Sequence, residues 1–152
     1  MVVACCRILL VDDSEPFRHL VALILQEDPG LYSVEQAADG LEGVQKAKNL
    51  KPDLILLDIG LPKLNGIDAS KLIREYSPNS KIIFLTGETD PYVVKAALDT
   101  GALGYVHKPF AGIELGIAAE AALQGRQFVS RSLKLPSLDM GLLRSCSAGF
   151  TF

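Results

Sequence analysis

Leu54-Ile55-Leu56-Leu57-Asp58 is a run of four apolar residues without alternation, closed by a carboxylate. A strand covered on both faces reads this way, so the run predicts a parallel sheet packed under helices. Gly60-Leu61-Pro62-Lys63-Leu64-Asn65-Gly66 follows and is rich in turn-forming residues. In open parallel α/β sheets, ligands bind beyond the carboxyl ends of the strands. Asp58 therefore stands where the chemistry of such a sheet is done.

Three other stretches have the same form. Ile8 to Val11 ends at Asp12-Asp13, Ile82 to Leu85 ends at Thr86, and Gly104 to His107 ends at Lys108-Pro109. Each strand candidate delivers a polar group at its carboxyl end, which makes a constellation rather than a coincidence.

Between these runs the sequence alternates. Strands are predicted at 7–11, 32–38, 53–58, 81–86 and 103–107, and helices from Ser14 to about Glu27 and at 41–50, 66–76, 92–100 and 111–124. Ser14 is the N-cap candidate of the first helix, with Pro16 in its first turn. Phe17, Leu20, Val21, Ile24 and Leu25 form that helix's inward face, and Leu41, Val44, Ala47 and Leu50 recur along the second. Five strands alternating with five helices predict one parallel sheet with helices on both faces. From Gln127 the pattern breaks, so a first domain is drawn at 1–126 and a tail or linker at 127–152. The tail carries a possible short helix near Leu138 to Arg144 and sticky Phe150 and Phe152.

Bulk properties narrow the function. A chain of 152 residues, 49% hydrophobic, suits a single domain with a real core and excludes disorder. A net charge of −3 and the lack of a basic patch argue against direct nucleic-acid binding. Cys5, Cys6 and Cys146 make an odd count with a poorly placed adjacent pair, read as reduced thiols of a cytoplasmic protein. Neither a secretory leader nor a membrane span is expected.

Asp12, Asp13 and Asp58 converge at the sheet's carboxyl edge. At 4 Å and an effective dielectric near 20, each carboxylate pair costs about 4 kcal/mol, which a proton or a cation must relieve. Oxygen ligands on short side chains suit Mg²⁺. A carboxylate can attack phosphorus, with a metal and a lysine stabilising the transferring group. Asp58 is the nucleophile candidate, Lys108 the second cation and Thr86 a hydroxyl donor to a phosphoryl oxygen. His107 and His19 lack metal-ligand spacing and read as packing or surface residues.

VDDSEPFR (Val11–Arg18), DLILLDIGLPKLNG (Asp53–Gly66), IIFLTGE (Ile82–Glu88) and GYVHKPF (Gly104–Phe110) resemble the receiver domain of two-component response regulators. The motifs occur in order and at that family's spacing, over residues 7 to about 126. The resemblance implies a flavodoxin-like (βα)5 sandwich with strand order 2-1-3-4-5. It implies Asp58 as phospho-acceptor from a sensor histidine kinase. Mg²⁺ would be held by Asp13, Asp58 and the Gly60 backbone carbonyl, with Asp12 acting through a water. Lys108 would contact the phosphoryl group, and Pro109 would follow a cis peptide bond. Thr86 and Tyr105 would be the switch pair, Tyr105 swinging inward as Thr86 moves to the phosphoryl group. Gly60 and Glu88 depart from the commonest pattern: Gly60 offers no side chain, and Glu88 adds a carboxylate near the site. A homodimer through helix four, strand five and helix five is a further implication.

The stretch Ala118 to Leu133 resembles the end of receivers that precede a LuxR-type helix-turn-helix domain, which is missing here. The leading expectation is a phosphorylation-switched protein-interaction module and not an enzyme. The alternatives are a truncated DNA-binding transcription regulator, a degenerate receiver acting by constitutive association, and a Mg²⁺-dependent phosphatase. The phosphatase needs an acid two residues after Asp58, where Gly60 stands.

Overall fold

The structure, a computed structural model, describes residues 6–26 and 32–133. The elements run β1 (Cys6–Val11), α1 (Glu15–Leu25), β2 (Tyr32–Ala37), α2 (Gly40–Leu50), β3 (Leu54–Leu57), α3 (Gly66–Tyr76), β4 (Lys81–Thr86), α4 (Pro91–Asp99), β5 (Gly104–His107), α5 (Ala111–Leu123) and β6 (Phe128–Val129). One 3₁₀ turn, Lys108–Phe110, joins β5 to α5.

All pairings are parallel, and the order β2-β1-β3-β4-β5-β6 contains the expected 2-1-3-4-5. Alternate residues of each apolar run face opposite sides. Leu9, Val11, Ile55, Leu57, Ile82 and Phe84 meet α2, α3 and α4 residues such as Ala47, Ile73 and Val94. Ile8, Leu10, Leu54, Leu56, Ile83 and Leu85 meet Val21 and Leu25 of α1 and Leu115, Ala118 and Ala122 of α5. Fully burying each such aliphatic side chain contributes about 1.5–3 kcal/mol, so both layers hold the sheet.

Side chains at the helix starts explain the loop geometry. Ser14, Asp39, Asn65 and Asp90 each accept a backbone N–H of the first turn, from Phe17, Glu42, Asp68 and Tyr92 respectively. These capped starts all follow strands, so the same residues that close the helices shape the loops above the sheet.

The inward assignment of Leu20 needs correction, and Leu41 of the second helix's apolar series also faces out. Leu20 is 49% exposed and Leu41 53% exposed. Each lies one helical step, about 100°, from a buried neighbour, Val21 and Gly40 respectively. The buried stripes of α1 and α2 are narrower than the apolar pattern suggests.

The boundary at 126/127 also cuts through packed structure. Phe128 and Val129 pair with Gly104 and Tyr105 along the outer edge of β5. Ser130 N–H donates to the Tyr105 carbonyl at 2.9 Å. Ser130 is 1% exposed; its hydroxyl accepts the His107 N–H at 3.2 Å and donates to the Glu114 carboxylate. Leu133 packs against the first core layer. Ser130→Ala leaves the part-buried His107 N–H without its side-chain acceptor, so an expected loss of about 1 kcal/mol follows. Denaturant unfolding checks it: the midpoint falls at unchanged slope, and an unchanged midpoint would place the segment off the fold.

The possible helix near Leu138 to Arg144, the tail aromatics, Cys5 and Cys146 lie outside the described residues. Among the described residues, no helix is long and apolar enough to cross a membrane.

Candidate functional site

Two ladder bonds place the central carboxylates. Asp12 N–H donates to the Ala37 carbonyl and Asp58 N–H donates to the Val11 carbonyl, both at 3.0 Å. These bonds extend β1 and β3 by one residue and set both aspartates side by side, at the point where the strand order reverses. That is the position where such sheets bind ligands.

Asp12 is 1% exposed and Asp58 7% exposed, while Asp13 stands open to solvent. Ligand oxygens of all three lie within 4.8 Å of one another. Lys108 Nζ sits 2.8 Å from Asp12 Oδ2 and 3.0 Å from Asp58 Oδ2. Asp58 Oδ1 accepts the Ile59 N–H at 2.7 Å, and Asp12 Oδ1 accepts the Ser14 N–H at 2.8 Å. Arg18 Nη1 donates to the Asp12 carbonyl at 2.7 Å.

The electrostatics follow from this geometry. Burial raises the Asp12 carboxyl above its ordinary range, and the Asp58 charge adds to that. Lys108 and the Ser14 N–H oppose the rise without cancelling it. Burial alone would lower the Lys108 ammonium, but its two carboxylate partners outweigh burial and raise it. Lys108 is thus held charged between two acids.

Asp12 Oδ2 is buried and accepts no directed hydrogen bond, although it forms an ion pair with Lys108. A buried carboxylate oxygen with unused acceptor capacity, beside two further carboxylates, fits a hard divalent cation or its bound water. The donor set therefore suits Mg²⁺. Gly60 lies exposed on the loop just after Asp58, and a Cβ built there would meet nothing within 4 Å.

Thr86 and Tyr105 meet through Glu88. Thr86 is 2% exposed and its Oγ1 accepts the Glu88 N–H at 3.3 Å. Tyr105 is fully buried and its hydroxyl donates to the Glu88 carbonyl at 2.8 Å. Its ring lies 6.2 Å from that of Phe84. Burial pushes the Tyr105 phenol well up, helped by the negative charges of Glu88 and Asp58. The inward position expected after phosphorylation is the one the ring already holds.

One expectation is corrected here. The peptide bond before Pro109 is trans, as are all peptide bonds among the described residues. Trans is the lower-energy form of an X–Pro bond by about 0.5–1 kcal/mol, and the first turn of the 3₁₀ segment accommodates the fixed proline φ. The Glu88 carboxylate turns onto its own loop, where Oε1 accepts the N–H groups of Thr89 and Asp90, both at 3.1 Å. It braces the approach to α4.

Sequence reading overlooked one participant. Phe17, assigned only to the inward face of α1, has the Lys108 ammonium 4.5 Å from its ring centroid. Its place in VDDSEPFR, one turn after the acidic pair, was the available signal. His19 is exposed, and His107 is half-buried beside the Phe110 ring with Ser132 Oγ 3.4 Å from its Nδ1.

Residues 8–120 match the family described as the response regulator receiver domain. The chain is 38% identical over 119 residues to the transcriptional regulatory protein LiaR of Bacillus subtilis, covering 78% of this chain and 56% of LiaR. It is 40% identical over 110 residues to a protein-glutamate methylesterase/protein-glutamine glutaminase of Nitrosospira multiformis, covering 70% of this chain and 30% of that protein. The chain thus spans between about a third and just over half of these relatives. Among solved structures, a LuxR-family two-component response regulator from Aurantimonas sp. SI85-9A1 superposes with a TM-score of 0.80 at 31% identity, covering 93% of this chain and 99% of that one. The response regulator domain of Thermotoga maritima CheB gives 0.73 at 34% identity, covering 80% of this chain and 98% of that one.

Proposed function

Because the chain belongs to the family of response regulator receiver domains, we propose that Asp58 accepts a phosphoryl group from a sensor histidine kinase with Mg²⁺, and that this switches a protein-interaction surface. The observation that carries the reading is the Lys108 ammonium bridging Asp12 and Asp58 beside Asp13, at the carboxyl edge of the sheet.

In this reading an Asp58 oxygen attacks the phosphorus of a phosphohistidine. The new O–P bond forms as the P–N bond breaks, and the electron pair returns to the imidazole. Lys108, freed from part of its pairing with the Asp58 carboxylate, stabilises the phosphoryl oxygens. Asp12, Asp13 and Asp58, with the Gly60 carbonyl, would hold Mg²⁺. When bound, the ion supplies neutralisation of the charge on the transferring group.

The switch would run through Glu88. Its backbone joins Thr86 on one side and Tyr105 on the other, so a Thr86 hydroxyl drawn to a phosphoryl oxygen releases the Glu88 N–H and moves the loop before α4. Such a ligand biases an existing equilibrium between loop positions. The readout face then comprises α4, α5 and β6, because β6 covers part of the β5 edge. A second copy is one candidate partner for that face. The likeness to LiaR and to the LuxR-family regulator supports a second reading, in which the surface serves transcriptional output.

Intact mass after incubation with acetyl phosphate tests the proposal. One added phosphoryl group is expected on the wild type, only with Mg²⁺, and none on Asp58→Asn. An unmodified wild type under all conditions would sink the reading.

A further inference from the structure

We propose that Phe17 is a positioning residue for Lys108, holding the ammonium over Asp58 by offering its ring face to the side of the charge that carries no carboxylate. The inference rests on the receiver reading, in which Lys108 serves the phosphoryl group.

An ammonium has three N–H donors. Two carboxylate oxygens lie within 3.0 Å of Lys108 Nζ, one from Asp12 and one from Asp58. The Phe17 ring is a third neighbour, with Nζ over its face 4.5 Å from the centroid. The negative face of an aromatic ring attracts a cation electrostatically, and more strongly where water is excluded. The Lys108 side chain is only 23% exposed, so the ring takes the place of solvent around the charge.

The ring is itself held. Asp12 Oδ1 accepts the Ser14 N–H, and the Ser14 hydroxyl accepts the Phe17 N–H at 3.3 Å. Phe17 packs against the core layer under α1 and α5. A short chain of contacts thus runs from Asp12 through the helix cap to Phe17 and back to Lys108.

This matters once Asp58 is modified. A flexible lysine whose carboxylate partner changes shape can swing toward Asp12 or out to water. A ring behind it limits both movements and keeps the cation poorly hydrated, so that its field acts on the phosphoryl oxygens. An aliphatic side chain of similar bulk would fill the space but supply no attraction.

The test compares Phe17→Leu with Phe17→Tyr. With acetyl phosphate and Mg²⁺, Phe17→Leu is expected to slow phosphoryl uptake about three- to tenfold, in the range of a partly desolvated cation–π contact. Phe17→Tyr, which keeps a ring, recovers most of the rate. In a Lys108→Ala background Phe17→Leu has little further effect, because the two residues act as one unit. Proton NMR supplies a readout that needs no phosphorylation. The Lys108 Cε protons lie upfield through the ring current in wild type and Phe17→Tyr, and return to ordinary values in Phe17→Leu.

Equal rates in Phe17→Leu and wild type, a Phe17→Tyr as slow as Phe17→Leu, or a full Phe17→Leu effect without Lys108 would each overturn the role. A wild type that takes up no phosphoryl group overturns the receiver reading and this role with it. The ring-current shift then shows whether the contact exists apart from that failure.

Discussion

Lys108→Ala destabilises the metal-free protein by about 3–5 kcal/mol at neutral pH, the usual cost of removing one partner from a buried ion pair. The ammonium is the cation within ion-pair distance of both Asp12 and Asp58, which are 1% and 7% exposed. Without it two carboxylates face each other in a poorly solvated pocket. The pH dependence follows. Asp12 already has a raised pKa, so its contribution to stability is full below the ordinary carboxylate value and is lost as pH rises through the raised one. The close Lys108 ammonium lowers that pKa, so removing it raises the pKa further. The deficit of the variant therefore shrinks as the pH falls below neutral and is largest in neutral and alkaline solution. The wild type keeps the whole Lys108 contribution throughout this range, because a raised lysine loses it only above its ordinary alkaline value. Thermal unfolding with and without MgCl₂ from pH 5 to 8 checks this. Mg²⁺ should recover part of the loss, since a divalent cation neutralises the same acids. An equal deficit at every pH would show that Lys108 stabilises by packing instead.

Gly66→Ala is the second large effect, and it acts through the backbone. A Cβ at Gly66 would lie 1.9 Å from the Asp58 carbonyl oxygen and 2.8 Å from Ile59 Cα. Both are main-chain atoms in a loop pinned by the Gly66 N–H, which donates to the Ile59 carbonyl at 2.8 Å. Nothing there can rotate aside, so the loop carrying Asp58 or the start of α3 must move. A loss of about 3 kcal/mol or more is expected, together with slower phosphoryl uptake. Gly60→Ala is the control on the same loop. Its Cβ meets nothing within 4 Å, so its effect should stay within about 0.5 kcal/mol. Urea unfolding of the pair decides the matter: equal stabilities would mean that the close approach at Gly66 relaxes freely.

The two glycines also show how the sequence could be read and where it could not. Both stand in one turn-rich stretch and look alike as letters. Only the packing of α3 against the end of β3 separates a glycine whose Cβ would strike main-chain atoms from one that is open to solvent. The acidic site was legible because it depends on local order: each strand is an apolar run, each run stops at a polar residue, and parallel crossovers bring those ends to one edge. Asp12, Asp13, Asp58 and Lys108 follow from that rule together with the spacing of the motifs.

Three features came from contacts between distant segments, and a fourth from a turn within a single loop. The two-residue β6 is too short to show a period, and it exists because β5 presents an unpaired edge that Ser130 can lock. The Glu88 carboxylate points where its neighbours' free N–H groups are, which no spacing reveals. Tyr105 takes the inward position because the Glu88 carbonyl satisfies its hydroxyl there. Phe17 reads as an ordinary core residue until Lys108, from the far end of the chain, arrives over its ring. Fold class, strand order and the acidic centre therefore lie in short-range pattern. The edge strand, the inward seat of Tyr105 and the partner of the lysine arise only when the folded chain sets non-local groups in contact, since hydrogen bonds and charges find partners by distance in space.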